Sequence, residues 1–504
     1  MCEDAMNRAL MLLLIGLLVL PIGCQDPAAA PQQSQQQPAA AAPASADDAA
    51  TTAPEAADKS VDAGLDGEAE TAAHVVVRTD NLPEPVALTA EDWPQFRGAN
   101  RDGISQAAGL ADQWPADGPA VAWEVTGLGE GYSSPAVVGD RVFLNDYDEE
   151  RNVWMVRCLD LNTGESAWPQ NYEVEKRIRP NHAITRSVPA TDGGYVFAID
   201  PKCELHCLDA RDGSLIWKTF LPAAYDTQIP PWYNGQCPLL EDDRLVIATG
   251  GNALLVALDK ATGEAIWETP NPDGYQLSHA SIMPMEVEGV RQYAYLTLKG
   301  AVGVSADDGS LLWEFPWQFN TAVPTTPLPL GDGKLLLTSG YHARTVVCQV
   351  SRDGDAWKAE EVVALPPPTQ GWNSEVHTPI VYRGFVFGVG KKQRGLWTCL
   401  SPAAEELWSS GRKAAFGMGG YVLADGKFFV LEDRTGVVRM LDATADEYRE
   451  LGQVKVLEGP DVWAPPVVSR GKLLVRDLHK LVCLDIAAEG DAGPVAAANV
   501  PNRE

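Results

Sequence analysis

The sequence predicts an all-β fold, an eight-bladed β-propeller of four-stranded antiparallel blades, with seven blades as the alternative. The first observation is a recurring motif of the form L-D-x-x-T-G-x-x-x-W, as in LDKATGEAIW at residues 258–267. The second is its period, because Trp168, Trp217, Trp267 and Trp313 are 49, 50 and 46 residues apart. The third is the alternation of short apolar strands and turns within each unit, which is typical of propeller blades.

Each unit reads as four short strands joined by turns. In the first complete unit, SSPAVVGD, RVFLND and MVRCLD supply three strands, and a fourth closes on the tryptophan. In the repeated motif, Gly263 provides the positive φ of the turn and Asp259 accepts turn N–H groups. An indole buries about 200 Å² and can cover the seam between neighbouring sheets. We therefore assign a blade-docking role to Trp123, Trp168, Trp217, Trp267, Trp313, Trp357 and Trp408.

The last unit is incomplete, and this predicts how the ring closes. The seventh unit carries Tyr448 in place of the tryptophan, and the eighth, which ends in HKLVCLDI, stops before a fourth strand. The stretch AVAWEV, residues 120–125, precedes the first complete unit and carries Trp123. We expect it to supply the missing strand, so that the two ends of a propeller spanning 120–486 share one sheet.

The first 24 residues read as a targeting segment. A short basic start is followed by an apolar run, residues 9–20, that is too short to span a bilayer and is typical of a signal peptide. The stretch that ends in Cys24 resembles a bacterial lipoprotein signal, in which Cys24 becomes the lipidated first residue. A signal peptide cleaved without lipidation is the alternative, and translation starts at either Met1 or Met6. By the same resemblance, Gln25 in place of aspartate favours the outer membrane.

The regions next to the repeats differ from them in composition. Residues 25–91 are rich in Ala, Pro, Gln and acidic residues, which bury too little apolar surface to fold, so we predict a disordered tether. A leader segment follows at 92–119, and a flexible tail is predicted at 487–504. The formal charge of −30 argues against nucleic-acid binding, because phosphate neutralisation needs clustered Lys and Arg.

The leader begins with DWPQFRGANRDGIS, residues 92–105. Its NRDG sequence reads as a turn, with Trp93 and Phe96 as apolar anchors. We expect the leader on the outside or the base of the propeller, with Arg97 or Arg101 paired to an acid.

The repeated units resemble the pyrroloquinoline-quinone (PQQ) repeat, with its A-L-D-x-x-T-G-x-x-x-W tryptophan-docking motif. The resemblance covers residues 93–486. Two groups of proteins share this repeat: PQQ-dependent alcohol and glucose dehydrogenases, and non-enzymatic lipoproteins like BamB of the outer-membrane β-barrel assembly machinery. The fold alone does not choose between them.

Cysteine usage bears on that choice. Five of the nine cysteines occupy one place in the third strand, where other blades have Ala257, Gly303 or Met440, which indicates a buried packing position without disulfides. By the resemblance, the dehydrogenases hold PQQ against a tryptophan and an adjacent Cys–Cys disulfide, with Ca²⁺ on Glu, Asn and Asp. This sequence has neither an adjacent cysteine pair nor a C-x-x-C-H haem motif, and its acidic stretch NDYDEER, residues 145–151, lacks the pattern of a calcium loop. We therefore expect no catalytic residue, cofactor or metal, and PQQ with calcium belongs to the alternative.

The longest loops join the fourth strand of one blade to the first strand of the next, and they form the predicted binding rim. Its aromatic, arginine and histidine side chains suit a protein or glycan partner, although Trp232 and Trp372 can equally serve to pack the loops. His182, His279 and His377 lie in different loops without the spacing of metal ligands. The rim residues are Arg179, His182, Arg186, Tyr225, Trp232, Tyr233, Tyr275, His279, Trp372 and His377.

These observations favour a monomeric, lipid-tethered propeller that acts as a protein-binding or scaffold module of the bacterial cell envelope. The lipid anchor would be its only contact with the outer membrane, from which it faces the periplasm. A secreted or soluble periplasmic protein is the alternative location, and a PQQ-dependent or related periplasmic oxidoreductase is the alternative function.

Overall fold

The computed structural model describes residues 73–179, 181–317, 322–341, 343–366, 371–390 and 395–488, all within one compact unit, 64–504. The predicted signal peptide with Cys24, residues 25–72 of the predicted tether and residues 489–504 of the predicted tail lie outside the described residues. Across these ranges the chain forms strands β1 to β34 and the short helix α1 (Leu221–Tyr225). No helix in this part of the chain is long and apolar enough to cross a membrane.

Of these strands, 32 form eight antiparallel blades of four, and β1 and β2 each add a fifth strand to one blade, which confirms the predicted eight-bladed propeller. Blades 1 to 4 consist of β4 (Ala136–Val138), β5 (Arg141–Asp148), β6 (Val153–Asp160) and β7 (Tyr172–Glu175); β8 (Ala190–Thr191), β9 (Tyr195–Ile199), β10 (Glu204–Asp209) and β11 (Leu215–Phe220); β12 (Leu239–Glu241), β13 (Arg244–Ala248), β14 (Ala253–Asp259) and β15 (Ala265–Pro270); and β16 (Met283–Val287), β17 (Val290–Thr297), β18 (Gly300–Ser305) and β19 (Leu311–Pro316).

The second half of the ring repeats this order. Blades 5 to 8 consist of β20 (Leu328–Gly331), β21 (Lys334–Leu337), β22 (Val346–Asp353) and β23 (Ala356–Ala364); β24 (Ile380–Tyr382), β25 (Phe385–Gly390), β26 (Leu396–Leu400) and β27 (Glu406–Ser409); β28 (Tyr421–Ala424), β29 (Lys427–Leu431), β30 (Val437–Asp442) and β31 (Glu450–Lys455); and β32 (Val467–Ser469), β33 (Lys472–Arg476), β34 (Lys480–Asp485) and β3 (Ala120–Thr126). The first strands of neighbouring blades are in contact: β4 contacts β8, and β8 contacts β12. The first strands therefore surround the axis of the ring.

The ring closes as predicted, in blade 8. Its fourth strand is the N-terminal β3, which pairs antiparallel with the C-terminal β34 and places Trp123 opposite Cys483. The two ends of the propeller therefore share one sheet. This sheet combines the strand that precedes blade 1 in the sequence with the last strand, β34.

Repeated glycines and tryptophans meet across the boundaries between blades. A Cβ on the motif glycine of one blade would lie 2.5–2.7 Å from an indole carbon of the preceding blade; the pairs are Gly164 with Trp123, Gly213 with Trp168, Gly263 with Trp217 and Gly309 with Trp267. These glycines also have φ between 73° and 80°, which side chains rarely adopt. Each of these four indoles donates its N–H, over 2.7–3.3 Å, to the carbonyl three residues before that glycine. The motif is therefore an interblade joint.

The residue opposite each docking tryptophan is small. Cys207, Ala257 and Gly303 lie opposite Trp217, Trp267 and Trp313, and a Cβ on Gly303 would approach the Trp313 ring to 2.0 Å. The seven cysteines of the described residues are all buried and free. The third-strand cysteines Cys207, Cys399 and Cys483 thus each lie opposite an indole.

One predicted docking tryptophan, Trp357, lies outside the joint. In blade 5 the residue opposite Cys348 is Glu361, whereas Trp357 lies opposite Arg352 and is half-buried, with the guanidinium 5.6 Å from the ring centroid. The longer β22–β23 hairpin has moved Trp357 away from the joint.

In blade 7 the residue opposite Met440 is Gly452, and the docking tryptophan comes from elsewhere in the chain. A Cβ on Gly452 would lie 3.0 Å from Cβ of Trp114, a leader residue whose ring stacks on Phe429 at 5.8 Å. The leader therefore supplies the indole that the seventh repeat lacks, and Tyr448 instead packs edge-on against Trp408 of blade 6.

The C-terminal part of the predicted tether is folded onto the propeller. Strand β1 (His74–Val76) pairs antiparallel with β11 as a fifth strand of blade 2. Arg78 bonds to the buried Asp209 at 2.5 Å, and Val86 N–H donates to the carbonyl of Asp192. The prediction of disorder up to residue 91 is thus wrong for residues 73–91, because edge pairing satisfies backbone groups that composition alone leaves exposed.

The leader covers the end of the ring formed by the turns between first and second strands. Asp92 accepts from Gly139 in the β4–β5 turn, Leu110 donates to Asp425 in the β28–β29 turn, and β2 (Ile104–Ser105) pairs with β28. The chain remains paired at its other end too, since Ala488 N–H donates to the carbonyl of Gly109 and Ala487 pairs with Leu110, so residues 487 and 488 of the predicted tail are ordered on the propeller.

Arg97 and Arg101 are buried, and their predicted pairing with an acid is wrong. Arg97 donates to the carbonyls of Thr378 and Pro379, before the first strand of blade 6. Arg101 donates to the carbonyls of Cys237 and Pro238, before the first strand of blade 3. Where first strands begin near the axis, backbone carbonyls lack ladder partners, and a planar guanidinium satisfies several of them at once. The two side chains thus brace the leader between opposite sides of the ring.

Candidate functional site

The leader covers one end of the ring, and the interblade loops form the other. Of the ten predicted rim residues, four are buried: Tyr225, Tyr233, His279 and Trp372. Four more are half-buried: Arg186, Trp232, Tyr275 and His377. Only Arg179 and His182 are exposed.

Most of the rim aromatics pack the loops. Trp372 lies on Gly390 of β25, where a Cβ would come within 2.2 Å of the indole nitrogen. Trp232 stacks on Tyr341 at 6.1 Å, and its backbone carbonyl accepts from Arg186. The tryptophans therefore serve the alternative role considered from the sequence, which is to hold long loops in place.

The two less exposed rim histidines bond to backbone carbonyls in separate loops. His279 Nε2 donates to the carbonyl of Pro231 at 2.7 Å, and His377 Nε2 donates to that of Met418 at 3.1 Å. Desolvation, reinforced by Arg186, lowers the pKa of His279 to about 4, and desolvation with Arg97 does the same for His377. Both imidazoles are neutral at pH 7.

Lowering the pH from 7 to 4 is expected to destabilise the protein through these histidines. Between the native pKa of about 4 and the unfolded value of about 6.5, the unfolded chain binds a proton that native His279 does not. The stability that neutral His279 provides is complete above about pH 6.5 and decreases, by up to about 3 kcal/mol, as the pH falls to 4. Urea unfolding at pH 7.0 and 4.5 measures it.

The variant His279→Gln keeps an N–H donor for Pro231 and removes the titrating imidazole. Its free energy of unfolding should therefore depend less on pH than that of the wild type. His377 should account for part of the pH dependence that remains. His479→Gln is the control, because the His479 side chain is 61% exposed. Equal pH dependence in the wild type and in His279→Gln would contradict the assignment.

A partly exposed patch, which we call the mouth patch, lies where three interblade loops meet; His182 is exposed and the other four residues are half-buried. It consists of Glu130, Tyr132, His182, Asp461 and Trp463. Tyr132 stacks on Trp463 at 4.8 Å, and the His182 ring lies edge-on to Tyr132 at 6.1 Å. Nδ1 of His182 is 3.1 Å from Glu130 Oε2, and Nε2 is 3.0 Å from Asp461 Oδ2. The patch thus presents aromatic faces flanked by carboxylates.

Buried groups beneath the mouth patch hold its loops in place. Arg476 of β33 donates to the carbonyls of Gly129 and Ser133, and Arg186 donates to that of His182. Gly131 pairs with Thr185, so closely that a Cβ would lie 2.0 Å from its hydroxyl oxygen. The loops that carry the patch are therefore held in place by contacts to their backbone. These contacts do not involve the patch side chains.

Sequence reasoning found only one of the five patch residues, His182. The other four lie in the loops GLGEGYSSP, residues 127–135, and LEGPDVWAPP, residues 457–466. These precede first strands as the predicted rim loops do, but they are shorter. Both loops have an aromatic residue shortly before the S-P or P-P sequence that begins a blade. This pattern could have indicated the two aromatic residues of the patch.

A second group was also missed, in blade 2. Asp200, Glu204 and His206 are buried, and their carboxylate oxygens and imidazole nitrogen lie within 4.8 Å of one another. Desolvation would raise the pKa of Asp200, but Lys176 and His206 outweigh it and lower the pKa to about 2. In the described residues this is the group that could hold a metal ion. Its signal is E-x-H, because alternate residues of a strand share a face.

The residues do not fit PQQ as the dehydrogenases hold it. The described cysteines are free and buried, and burial raises the pKa of the Cys158 thiol to about 12. Asp146, in the acidic stretch considered for calcium, bonds instead to Arg157 at 2.7 Å. The docking indoles lie in the seams between blades.

Comparison with known proteins agrees with the fold and the repeat. The family model described as "Outer membrane protein assembly factor BamB" matches residues 154–404. The outer membrane protein assembly factor BamB of Yersinia pestis is 23% identical over 378 residues, which cover 71% of this chain and 86% of that protein.

Solved structures of dehydrogenases share the fold. The quinohemoprotein alcohol dehydrogenase of Comamonas testosteroni is 13% identical, with a TM-score of 0.55 and 82% of each chain covered. A europium-containing methanol dehydrogenase is also 13% identical, with a TM-score of 0.56, and 79% of this chain and 90% of that chain are covered. At this identity the likeness concerns the fold alone.

The strand order and the interblade joints define the chain as an eight-bladed β-propeller, and its repeats resemble those of the PQQ-like class. Both the family model and the sequence relative carry the same description. Within the class, this protein resembles the outer membrane protein assembly factor BamB.

Proposed function

We propose that this protein is a non-catalytic scaffold of the bacterial cell envelope that binds a partner protein through the mouth patch. The observation that carries the proposal is the mouth patch, in which an exposed His182 and the half-buried Tyr132, Trp463, Glu130 and Asp461 lie together at the end of the ring that the leader does not cover. The family model and the relative from Yersinia pestis, both described as an outer membrane assembly factor, support an envelope location and a protein partner.

The chemistry of the patch suits a protein surface. Stacked Tyr and Trp rings provide rigid contact area at low entropic cost, and aromatic residues are enriched at binding hot spots. The side chains of Glu130 and Asp461 are 37% and 31% exposed, so they remain available beside the rings. A Lys or Arg of a partner segment would find an aromatic ring and a carboxylate side by side at this patch.

Chemical crosslinking of the purified chain to outer membranes, followed by mass spectrometry, tests the proposal. The double variant Glu130→Arg and Asp461→Arg should reduce capture of the principal crosslinked protein by about tenfold, because it reverses both charges of the patch. Glu264→Arg is the matched control, since Glu264 is exposed in a turn between third and fourth strands, at the opposite end of the blade.

Equal capture by the double variant and the wild type would refute the patch as the binding site. Addition of PQQ and Ca²⁺ with dye-reduction assays on alcohols and sugars tests the oxidoreductase alternative. Bound quinone together with turnover would overturn the scaffold assignment.

A further inference from the structure

The blade 2 group has the donors and the spacing of a transition-metal site. His206 Nε2 is 3.7 Å from both Asp200 Oδ2 and Glu204 Oε2. Ligands at about 2.0–2.2 Å around a tetrahedral Zn²⁺ are about 3.3–3.6 Å apart, so small shifts would bring all three atoms to bonding distance. The Asp200 and His206 side chains are fully buried; His206 Nε2 makes no hydrogen bond among the described residues, and Asp200 Oδ2 has the ion pair with Lys176 as its contact.

The surrounding contacts orient the three donors toward one point. Asp200 uses its other oxygen, Oδ1, to accept from the Glu204 backbone N–H at 2.9 Å. Nδ1 of His206 is 3.0 Å from the Tyr172 hydroxyl, and Trp154 lies on the imidazole at 4.8 Å. When Nδ1 donates to Tyr172, Nε2 presents a lone pair to the carboxylates. A partner on the remote nitrogen is the usual support of a metal-binding histidine.

A cationic side chain already occupies the space between the carboxylates. Lys176 Nζ is 2.6 Å from Glu204 Oε2 and 3.1 Å from Asp200 Oδ2. Lys176 follows β7 at the edge of blade 1, and its side chain is 15% exposed, so rotation can carry the ammonium to solvent. Lys218 bonds to the remaining Glu204 oxygen at 2.8 Å and does not enter this space.

The geometry points to an exchange site, at which a divalent transition cation such as Zn²⁺ displaces the Lys176 ammonium and binds Asp200, Glu204 and His206. A water completes four-coordination, and Lys218 keeps its bond to Glu204. Three donors that include an imidazole suit Zn²⁺, whereas Ca²⁺ requires six to eight oxygens. The site lies within blade 2 and is independent of the scaffold proposal.

Titration of the chelator-treated full-length chain with Zn²⁺, followed by calorimetry, tests the exchange. We expect one site, at least tenfold tighter binding in Lys176→Gln than in the wild type, and binding reduced at least tenfold by His206→Gln. Lys218→Gln is the matched control: it removes an equal charge from the same carboxylate without vacating the cation position, so its gain should be smaller than that of Lys176→Gln. His279→Gln, which alters a buried histidine elsewhere, should leave binding unchanged.

Three outcomes overturn the proposal: no binding in either the wild type or Lys176→Gln, equal gains in Lys176→Gln and Lys218→Gln, or binding that His206→Gln does not weaken. If His206→Gln does not fold, Co²⁺ replaces Zn²⁺ as the probe of Lys176→Gln. Intense visible absorption of four-coordinate Co²⁺ with a nitrogen ligand supports the site, and its absence refutes it.

Discussion

Trp217→Ala should lower the free energy of unfolding by about 3–5 kcal/mol, the usual cost of truncating a buried tryptophan to alanine. Trp217 is fully buried, and it fills the seam between blades 2 and 3. Its ring lies 6.1 Å from Phe197, its N–H donates to the carbonyl of Lys260 at 3.0 Å, and Gly263 of the next blade packs on its face. The variant leaves a cavity and an unpaired carbonyl. Urea unfolding followed by circular dichroism measures the loss.

Trp357→Ala provides the matched control, because the same residue type lies outside an interblade joint. Trp357 is half-buried, packs at the margin of the core and contacts Arg352 of its own hairpin, so its truncation should cost less than that of Trp217. Hydrogen exchange should show lost protection in blades 2 and 3 of Trp217→Ala. A cost for Trp217→Ala no greater than that for Trp357→Ala would refute the docking role of the motif tryptophans.

Arg97→Met should also destabilise the protein, by about 3–5 kcal/mol, and detach the leader. The Arg97 guanidinium donates to the carbonyls of Arg101 and Asp102 within the leader, and to those of Thr378 and Pro379 before blade 6. Methionine keeps much of the volume but leaves these buried acceptors unpaired, and each hydrogen bond to a charged donor contributes about 1.5–3 kcal/mol before relaxation. Urea unfolding measures the loss of stability.

Limited proteolysis distinguishes loss of the brace from general destabilisation, since cleavage of Arg97→Met should begin within residues 92–118. Arg412→Met is the control, because Arg412 is exposed and its replacement should change stability by less than about 0.5 kcal/mol. Unchanged cleavage in the leader of Arg97→Met would show that the carbonyl contacts do not hold this segment.

The repeat made most of the fold predictable. The motif marks its own turn: Asp259 accepts from the N–H groups of Ala261 and Thr262, and Gly263 has a positive φ, as the sequence indicated. The strands could be recognised from local sequence patterns, and the repeats could be counted. The blade number and the closure of the ring through β3 were therefore predictable. The predictions failed where the repeat degenerates, because Trp357 is displaced by a longer hairpin and the indole at Gly452 comes from Trp114, more than 300 residues away in sequence.

The candidate site was much less predictable. Loop length indicated the end of the ring at which we propose the site, and His182 was among the residues named. Composition, however, cannot distinguish an aromatic that is buried within its loop, such as Trp372, from one that is half-buried where several loops meet, such as Trp463. That distinction depends on which loops meet, and Glu130, His182 and Asp461 come from three different interblade connections.

The sequence by itself determined the architecture, because each blade is specified by short-range turn and strand signals that recur about every fifty residues. Only the tertiary structure decided the positions of groups that depend on long-range contacts: the leader across the ring, the mouth patch, and Lys176 of blade 1 between the carboxylates of blade 2. The physical reason is that burial and charge compensation depend on neighbours in space, and a propeller brings together residues from blades that are distant in the chain.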